Sequence, residues 1–309
     1  MNPAIQGLYF FTRFARSFSR LGYDKRARKW PKQIFDFSGQ HWLVTGASGG
    51  IGRAIVHQAA ACGAQVTAAA RSSGKLEQLT AESEFPERIK AAQADLSLMS
   101  GIDELAAWLG SVGTPVDVLV NNVGVLLNDY ATTAEGMEAS FATNLLNHYR
   151  LTETLVADDM LDPNATVINM SSGGMYNAPL AVDSLNPGPE RYDGVMAYAR
   201  HKRAQVELTR YWNEAYGDRG MRFYVMHPGW VDTQGVKTSL PGFRKLFKSV
   251  LRSHQQGADT ALWLAMNRPA CEPNEGIWLD RERQTEHVFS HTRNPAHTAQ
   301  DLVNYLDSF

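Results

Sequence analysis

From about residue 40 onward, short apolar and β-branched runs alternate with longer stretches of helical periodicity. The pattern predicts strands over 41–45, 65–70, 89–94, 117–121, 166–170, 222–226 and 276–279. Helices are expected near 50–62, 75–83, 101–110, 134–157, 195–217 and 257–267. A parallel strand pair needs a long crossover, which a helix supplies, so this rhythm reads as repeated βαβ units. The expected fold is α/β: a doubly wound parallel sheet of the Rossmann type, about seven strands, occupying residues 39–280. Two stretches break the rhythm. Residues 173–194 are rich in glycine and proline, and residues 230–256 read as a broken helical flap. Loops of this length within a compact fold are commonly functional, so both are expected to wall a cleft. Residues 281–309 read as a C-terminal tail.

Ahead of the first strand, residues 1–38 form an expected helical extension. Phe11, Phe14, Phe18 and Leu21 recur at helical spacing. Beside them stand Arg13, Arg16, Arg20, Lys25, Arg26, Arg28, Lys29 and Lys32, against only Asp24 and Asp36. A basic amphipathic helix with aromatic anchors has three open uses. It docks on its own domain or a neighbouring subunit, it lies on an anionic membrane surface through residues 1–32, or it is an organelle-targeting peptide.

The 309 residues carry a net charge of -2, which argues against a nucleic-acid-binding protein that lives on phosphate neutralisation. With 44% hydrophobic and 20% charged residues the chain can bury a sizeable core. Cys62 and Cys271 lie far apart and match no metal or redox spacing, as expected in a reducing, cytoplasmic setting. The arginines interrupt any apolar run at the N-terminus, so neither a spanning helix nor a standard secretory signal is expected. His287, His291 and His297 cluster near the C-terminus without a matching carboxylate or cysteine, so no metal site is assigned.

Chemistry concentrates in a few places. The first strand runs into Gly46, Ser48, Gly49, Gly50, Ile51 and Gly52 and then directly into a helix. Glycines there let backbone approach a pyrophosphate whose charge the helix N-terminus stabilises. Arg71 ends the second strand, where an acid would hold a ribose 2'-hydroxyl; an arginine suits a 2'-phosphate and favours NADP(H) over NAD(H), unless it is simply solvated. Tyr198 and Lys202 share a helix face four residues apart. An adjacent ammonium would lower the phenol pKa and make Tyr198 a usable acid or base. Ser172 ends the fifth strand, placed to stabilise developing alkoxide charge.

The string Thr45-Gly46-Ala47-Ser48-Gly49-Gly50-Ile51-Gly52, with the tyrosine–lysine pair, resembles the short-chain dehydrogenase/reductase family over most of the chain. That resemblance implies several further roles. Asp95 and Leu96 would contact the adenine edge, and Asn122 and Gly124 would lie beside the cofactor in an N-N-V-G segment where the family has alanine at Val123. Pro228, Gly229 and Thr233 would fix the carboxamide, and Asn144 would hold a water in a proton relay with Ser172, Tyr198 and Lys202. Tyr198 and Lys202 would also touch the nicotinamide ribose. The long interval from Ser172 to Tyr198 resembles the retinol dehydrogenase-like branch and implies lipophilic substrates. Met175, Tyr176, Trp230, Phe243 and Phe247 stand as apolar pocket candidates or as ordinary core. The implied function is an NADP(H)-dependent oxidoreductase acting on a carbonyl or alcohol. A catalytically silent NADP(H)-binding sensor or scaffold and an NAD-retaining sugar epimerase-like enzyme are the alternatives. A homo-oligomer is the family expectation.

Overall fold

The computed structural model describes residues 12–271 and 276–309. Phe11 of the aromatic stripe therefore lies outside the described residues. One eight-stranded sheet runs in the order β3-β2-β1-β4-β5-β6-β7-β8. Its strands are β1 His41–Thr45, β2 Gln65–Ala70, β3 Ile89–Gln93, β4 Val116–Asn121, β5 Leu161–Met170, β6 Arg222–Met226, β7 Ile277–Leu279 and β8 Glu282–Gln284. All pairings are parallel except the last, between β7 and β8. Strand β1 is buried along its whole length and β4 almost so, as continuous apolar runs in a sheet covered on both faces must be.

Helices α2 Gly50–Ala61 and α9 His254–Asn267 cover one face, where Ile55, Val56, Ala59, Ala261 and Leu264 meet Trp42, Val44 and Tyr224. The other face carries α4 Met99–Val112, α5 Asn147–Ala157 and α6 Gly194–Tyr216. Helix α3 Ser73–Ala81, capped by Ser72, returns the chain from β2 toward β3. Strand order reverses between β1 and β4, so the crevice outside their C-terminal ends is where this topology binds ligands.

Three local differences from the expected elements have clear causes. Residues 134–138 are not helical. Thr132 and Glu138 form an antiparallel bridge across Gly136, which sits at φ 81°, and the Glu138 carboxylate accepts the N–H groups of Ser140 and Phe141 to start the helix there. A π-helical turn, Ala142–Leu146, then leads into α5. Strand β8 was not expected, because its three polar residues at the sheet edge carry no period-two signal. It folds back on β7 through Asp280 and Arg281, at φ 52° and 64°, the left-handed pair that a tight hairpin turn demands.

The last helix, α10 Ala299–Leu306, buries Leu302, Val303 and Leu306 beside α6 in the core, so the C-terminal segment is packed structure. At the other end, helical residues 12–18 and α1 Arg20–Ala27 are separated by extended Ser19. Phe18 is fully buried against Tyr176 and His227, and Phe14 stacks on it. Among the described residues no helix is long and apolar enough to cross a membrane.

Candidate active site

A cleft of about 370 Å3 opens at the strand-order reversal. Gly46, Gly50 and Ile51 form one wall, Asn122, Gly124, Val125 and Leu126 a second, and Ser172, Tyr198 and Lys202 a third; Pro228, Thr233, Val236 and Leu240 close it from the flap. The flap is helical but broken, as expected, into α7 Gln234–Ser239 and α8 Pro241–Phe247, with Thr233 capping α7 through the Val236 N–H.

The glycine wall is built for close backbone approach. Gly46 and Gly50 lie at φ 62° and 57°, and a Cβ at Gly52 would stand 2.5 Å from both the Gly46 carbonyl and the Asn122 amide nitrogen. Asn122 does not face outward. Its side-chain amide donates to the Thr45 carbonyl at 2.8 Å and to that of Gly46 at 3.3 Å, so it braces the turn from beneath. The Thr45 hydroxyl accepts the Asn122 and Val123 N–H groups at 2.9 and 3.0 Å, joining the two walls.

Ser171 and Ser172 part company at the end of β5. The Ser171 hydroxyl donates to the Lys202 carbonyl at 2.8 Å, while the Ser172 hydroxyl accepts the Gly174 N–H at 3.3 Å and lines the cleft with Tyr198. Lys202, 2% exposed, donates to the Met170 carbonyl at 2.8 Å and to Gln205 Oε1 at 3.3 Å, with its nitrogen 5.6 Å from the Tyr198 ring centroid. Burial pushes the phenol above its ordinary value, with the Ser172 hydroxyl opposing, and burial pulls the Lys202 ammonium down to about 7. The expectation that the ammonium lowers the phenol pKa is therefore corrected: the lysine is turned to carbonyl acceptors, and desolvation governs both groups. Asn144, in the π-turn, holds Val125 by a matched pair of 2.7 Å hydrogen bonds to its N–H and carbonyl. π-Turns of this kind recur at functional sites because they re-aim one residue of a helix.

Other expected cofactor residues stand outside the cleft lining. Ser48 lies in the glycine turn, which Ala47 ties to β2 through the Ala69 carbonyl at 3.1 Å. Arg71 is exposed at the end of β2. Asp95 accepts both the N–H and the hydroxyl of Ser97, and Leu96 is buried in the core with its carbonyl held by Asn147. Gly229 lies at φ 77°, where a Cβ would stand 2.4 Å from the Arg252 guanidinium and 2.6 Å from the Phe18 carbonyl. Met175 and Tyr176 are core residues packed on Phe18, whereas Trp230, Phe243 and Phe247 cluster in the flap with centroids about 5 Å apart. His287, His291 and His297 turn to Thr292, Asn177 and Val182 respectively and do not converge.

A family model for short chain dehydrogenases matches residues 40–242. The chain belongs to the short-chain dehydrogenase family. Within it, the dehydrogenase/reductase SDR family member 12 of Bos taurus is 33% identical over 96% of this chain and 95% of its own, and the Homo sapiens protein of that name 32% over 92% and 90%. Retinol dehydrogenase 12 of Homo sapiens is 29% identical over 79% of this chain and 78% of its own. Among solved structures, a protein described as a short chain dehydrogenase/reductase family protein superimposes with a TM-score of 0.59 at 26% identity, covering 76% of this chain and 92% of that one. A short-chain dehydrogenase/reductase of Brucella melitensis shares the fold, with a TM-score of 0.64 at 20% identity over 76% and 93%.

Membership makes this short-chain dehydrogenase an oxidoreductase with a Rossmann-type nucleotide-binding fold and implies a nicotinamide cofactor. The residues present fit such a group: the floor of the cleft is glycine backbone at β1, and at Gly124 a Cβ would come within 3.1 Å of Asn144 Oδ1 and 3.5 Å of Lys202 Nζ. Sequence reasoning missed Gln205 and His148, which support Lys202 from behind, and the flap residues Val236 and Leu240. Gln205 follows Lys202 by three positions on one helix face, a spacing that was legible.

Proposed function

We propose that this chain reduces a lipophilic carbonyl compound, or oxidises the matching alcohol, with NADP(H). The observation that carries the reading is the convergence of Ser172, Tyr198 and Lys202 on one glycine-floored cleft at the strand-order reversal. Gly46, Gly50, Ile51, Gly124 and Lys202 would hold the dinucleotide, with Thr233 at the carboxamide end. When bound, that group supplies or accepts the hydride. The Ser172 hydroxyl orients the substrate oxygen and stabilises charge developing on it. Tyr198, kept protonated at neutral pH by its burial, gives its proton to that oxygen in the reducing direction. Leu126, Val236 and Leu240 offer the substrate an apolar lining, and they support a lipophilic preference. Oxidation of NADPH in the presence of a panel of long-chain aldehydes and ketones tests the activity; no turnover on any of them with folded protein counts against it.

Arg71 supports NADP(H) over NAD(H), because nothing acidic stands at the end of β2 and the guanidinium is open to a 2'-phosphate. Arg71→Ser is expected to raise KM for NADPH about ten- to a hundred-fold, the worth of charge-assisted hydrogen bonds, and to leave KM for NADH unchanged. Equal KM changes for the two dinucleotides would reject this role.

Peripheral contact with an anionic bilayer is part of the same reading. Leu21 and Leu246 are 55% and 74% exposed, and their chain neighbours Arg20, Lys25 and Arg28 in and just after α1 and Lys245 and Lys248 in the flap are exposed as well. Arg20 donates to the Ser249 carbonyl and ties the two segments into one face. Replacing Lys25, Arg28, Lys245 and Lys248 by glutamine should weaken co-sedimentation with phosphatidylserine vesicles, at about 1 kcal/mol for each charge lost. Binding equal to that of the parent protein would remove the membrane from the proposal.

A further inference from the structure

Behind Lys202 lies a buried polar chain whose direction can be worked out atom by atom. His148 is 2% exposed and Gln205 1%. The His148 Nε2 lies 2.7 Å from the Val123 carbonyl, which can only accept, so Nε2 carries the ring proton and Nδ1 is the acceptor. Burial, aided by the nearby Lys202 charge, lowers the His148 pKa to about 3 and keeps the ring neutral. An accepting Nδ1 must face the amino group of Gln205, 2.8 Å away. The second amino hydrogen of Gln205 goes to the Asn144 carbonyl at 2.8 Å. With both hydrogens committed, Gln205 Oε1 has only one orientation left, toward Lys202 Nζ at 3.3 Å.

We propose that Gln205, oriented by His148, is a positioning residue for Lys202: its amide links the ammonium to the Asn144 carbonyl. This rests on Lys202 acting at the cofactor, and it deepens that reading. Two of the three ammonium N–H groups are spent on Met170 and Gln205, and the nitrogen is held beside Gly124 at the cleft. The carbonyl of Gln205 favours the charged lysine, partly offsetting the burial that drives it toward neutrality. Among the described residues, the titratable groups around the ammonium are Tyr198 and His201 on α6 and His148 on α5. His201 is turned away to the Leu185 carbonyl. Were His148 replaced by an apolar residue, the amide would keep only the Asn144 carbonyl as acceptor for its amino group, and its orientation toward Lys202 would be held less firmly.

The test reads Lys202 directly in cofactor-free protein, by NMR titration of lysine labelled with 13C at Cε and assigned with Lys202→Met. Gln205→Met, nearly isosteric, should lower the Lys202 midpoint by about one pH unit, and Gln205→Glu should raise it. His148→Leu should shift it in the same direction as Gln205→Met, with no further shift in the double variant, since the histidine acts through the amide. In the loaded enzyme the alkaline limb of kcat/KM should move with the NMR midpoint. A Lys202 midpoint unmoved in Gln205→Met and Gln205→Glu overturns the proposal, as do additive shifts for the two sites or a lower kcat with an unmoved limb. Full activity of Tyr198→Phe would instead defeat the catalytic reading and leave the NMR result standing.

Discussion

Tyr198→Phe is expected to lower kcat/KM by about 10²–10⁴-fold, the usual contribution of a positioned general acid, with NADPH affinity and Tm retained. The substitution deletes one oxygen. Its ring stays where α6 puts it, at a site open to the cleft, where solvent can take the place of the lost hydroxyl. The loss should fall on the chemical step, so kcat and kcat/KM should drop together. Because burial raises the phenol pKa, the reducing direction should show no activity limb from tyrosine ionisation below pH 10 in the free enzyme. Stopped-flow single turnovers of NADPH with the best substrate measure the step itself. Equal rates for the parent and variant would mean that the proton comes from elsewhere.

Asp280→Asn should cost the fold about 3–5 kcal/mol, the price of leaving a buried cation unpaired. Asp280 and Arg252 are each 1% exposed and form a two-pronged pair at 2.6 and 2.9 Å. Arg26 of α1 adds a second guanidinium to the same carboxylate. Arg252 also donates to the Phe18, Ser17 and Pro228 carbonyls at 2.8, 3.0 and 3.1 Å, so the carboxylate neutralises a cation that binds two backbone segments, at 17–18 and at 228. Asparagine keeps nearly the same shape and tolerates the left-handed conformation at φ 52°, which isolates the effect of charge from that of the turn. Urea denaturation measures the change. Limited proteolysis should show cleavage before residue 38 in the variant, because the extension loses its Arg26 anchor. A stability within about 1 kcal/mol of the parent would show that the cluster contributes no more than an exposed ion pair.

Much of the architecture was written in the pattern of apolar residues. The parallel strands read mainly from short apolar runs, and three of them, β1, β2 and β6, have the expected ends. Helix starts were less legible where a side chain rather than periodicity decides them, as Glu138 does for the helix that opens at Ala139. Strand β8 was invisible because an edge hairpin of polar residues is specified by its turn and by ion pairs from distant parts of the chain. In the cleft, the residues that motif spacing placed together do meet: Gly46, Gly50, Ser172, Tyr198 and Lys202 share one wall or the next. Spacing could not say how each side chain is turned. Asn122 and Gly229 therefore have structural partners that no linear motif reveals, and the electrostatics of Tyr198 and Lys202 follow from burial, which is a property of the folded whole.

The clamp at Arg252 also imposes an order on assembly. Residues 17–26 are made before the sheet, yet their fixed points, the Trp230 N–H and the Arg252 guanidinium on the Ser17 and Phe18 carbonyls and the Asp280 carboxylate on Arg26, are supplied by the second half of the chain. On a ribosome residues 12–27 must wait with Phe14 and Phe18 uncovered until nearly the whole sheet has emerged. Closing so long a loop is slow, which makes docking of the extension a late event in folding.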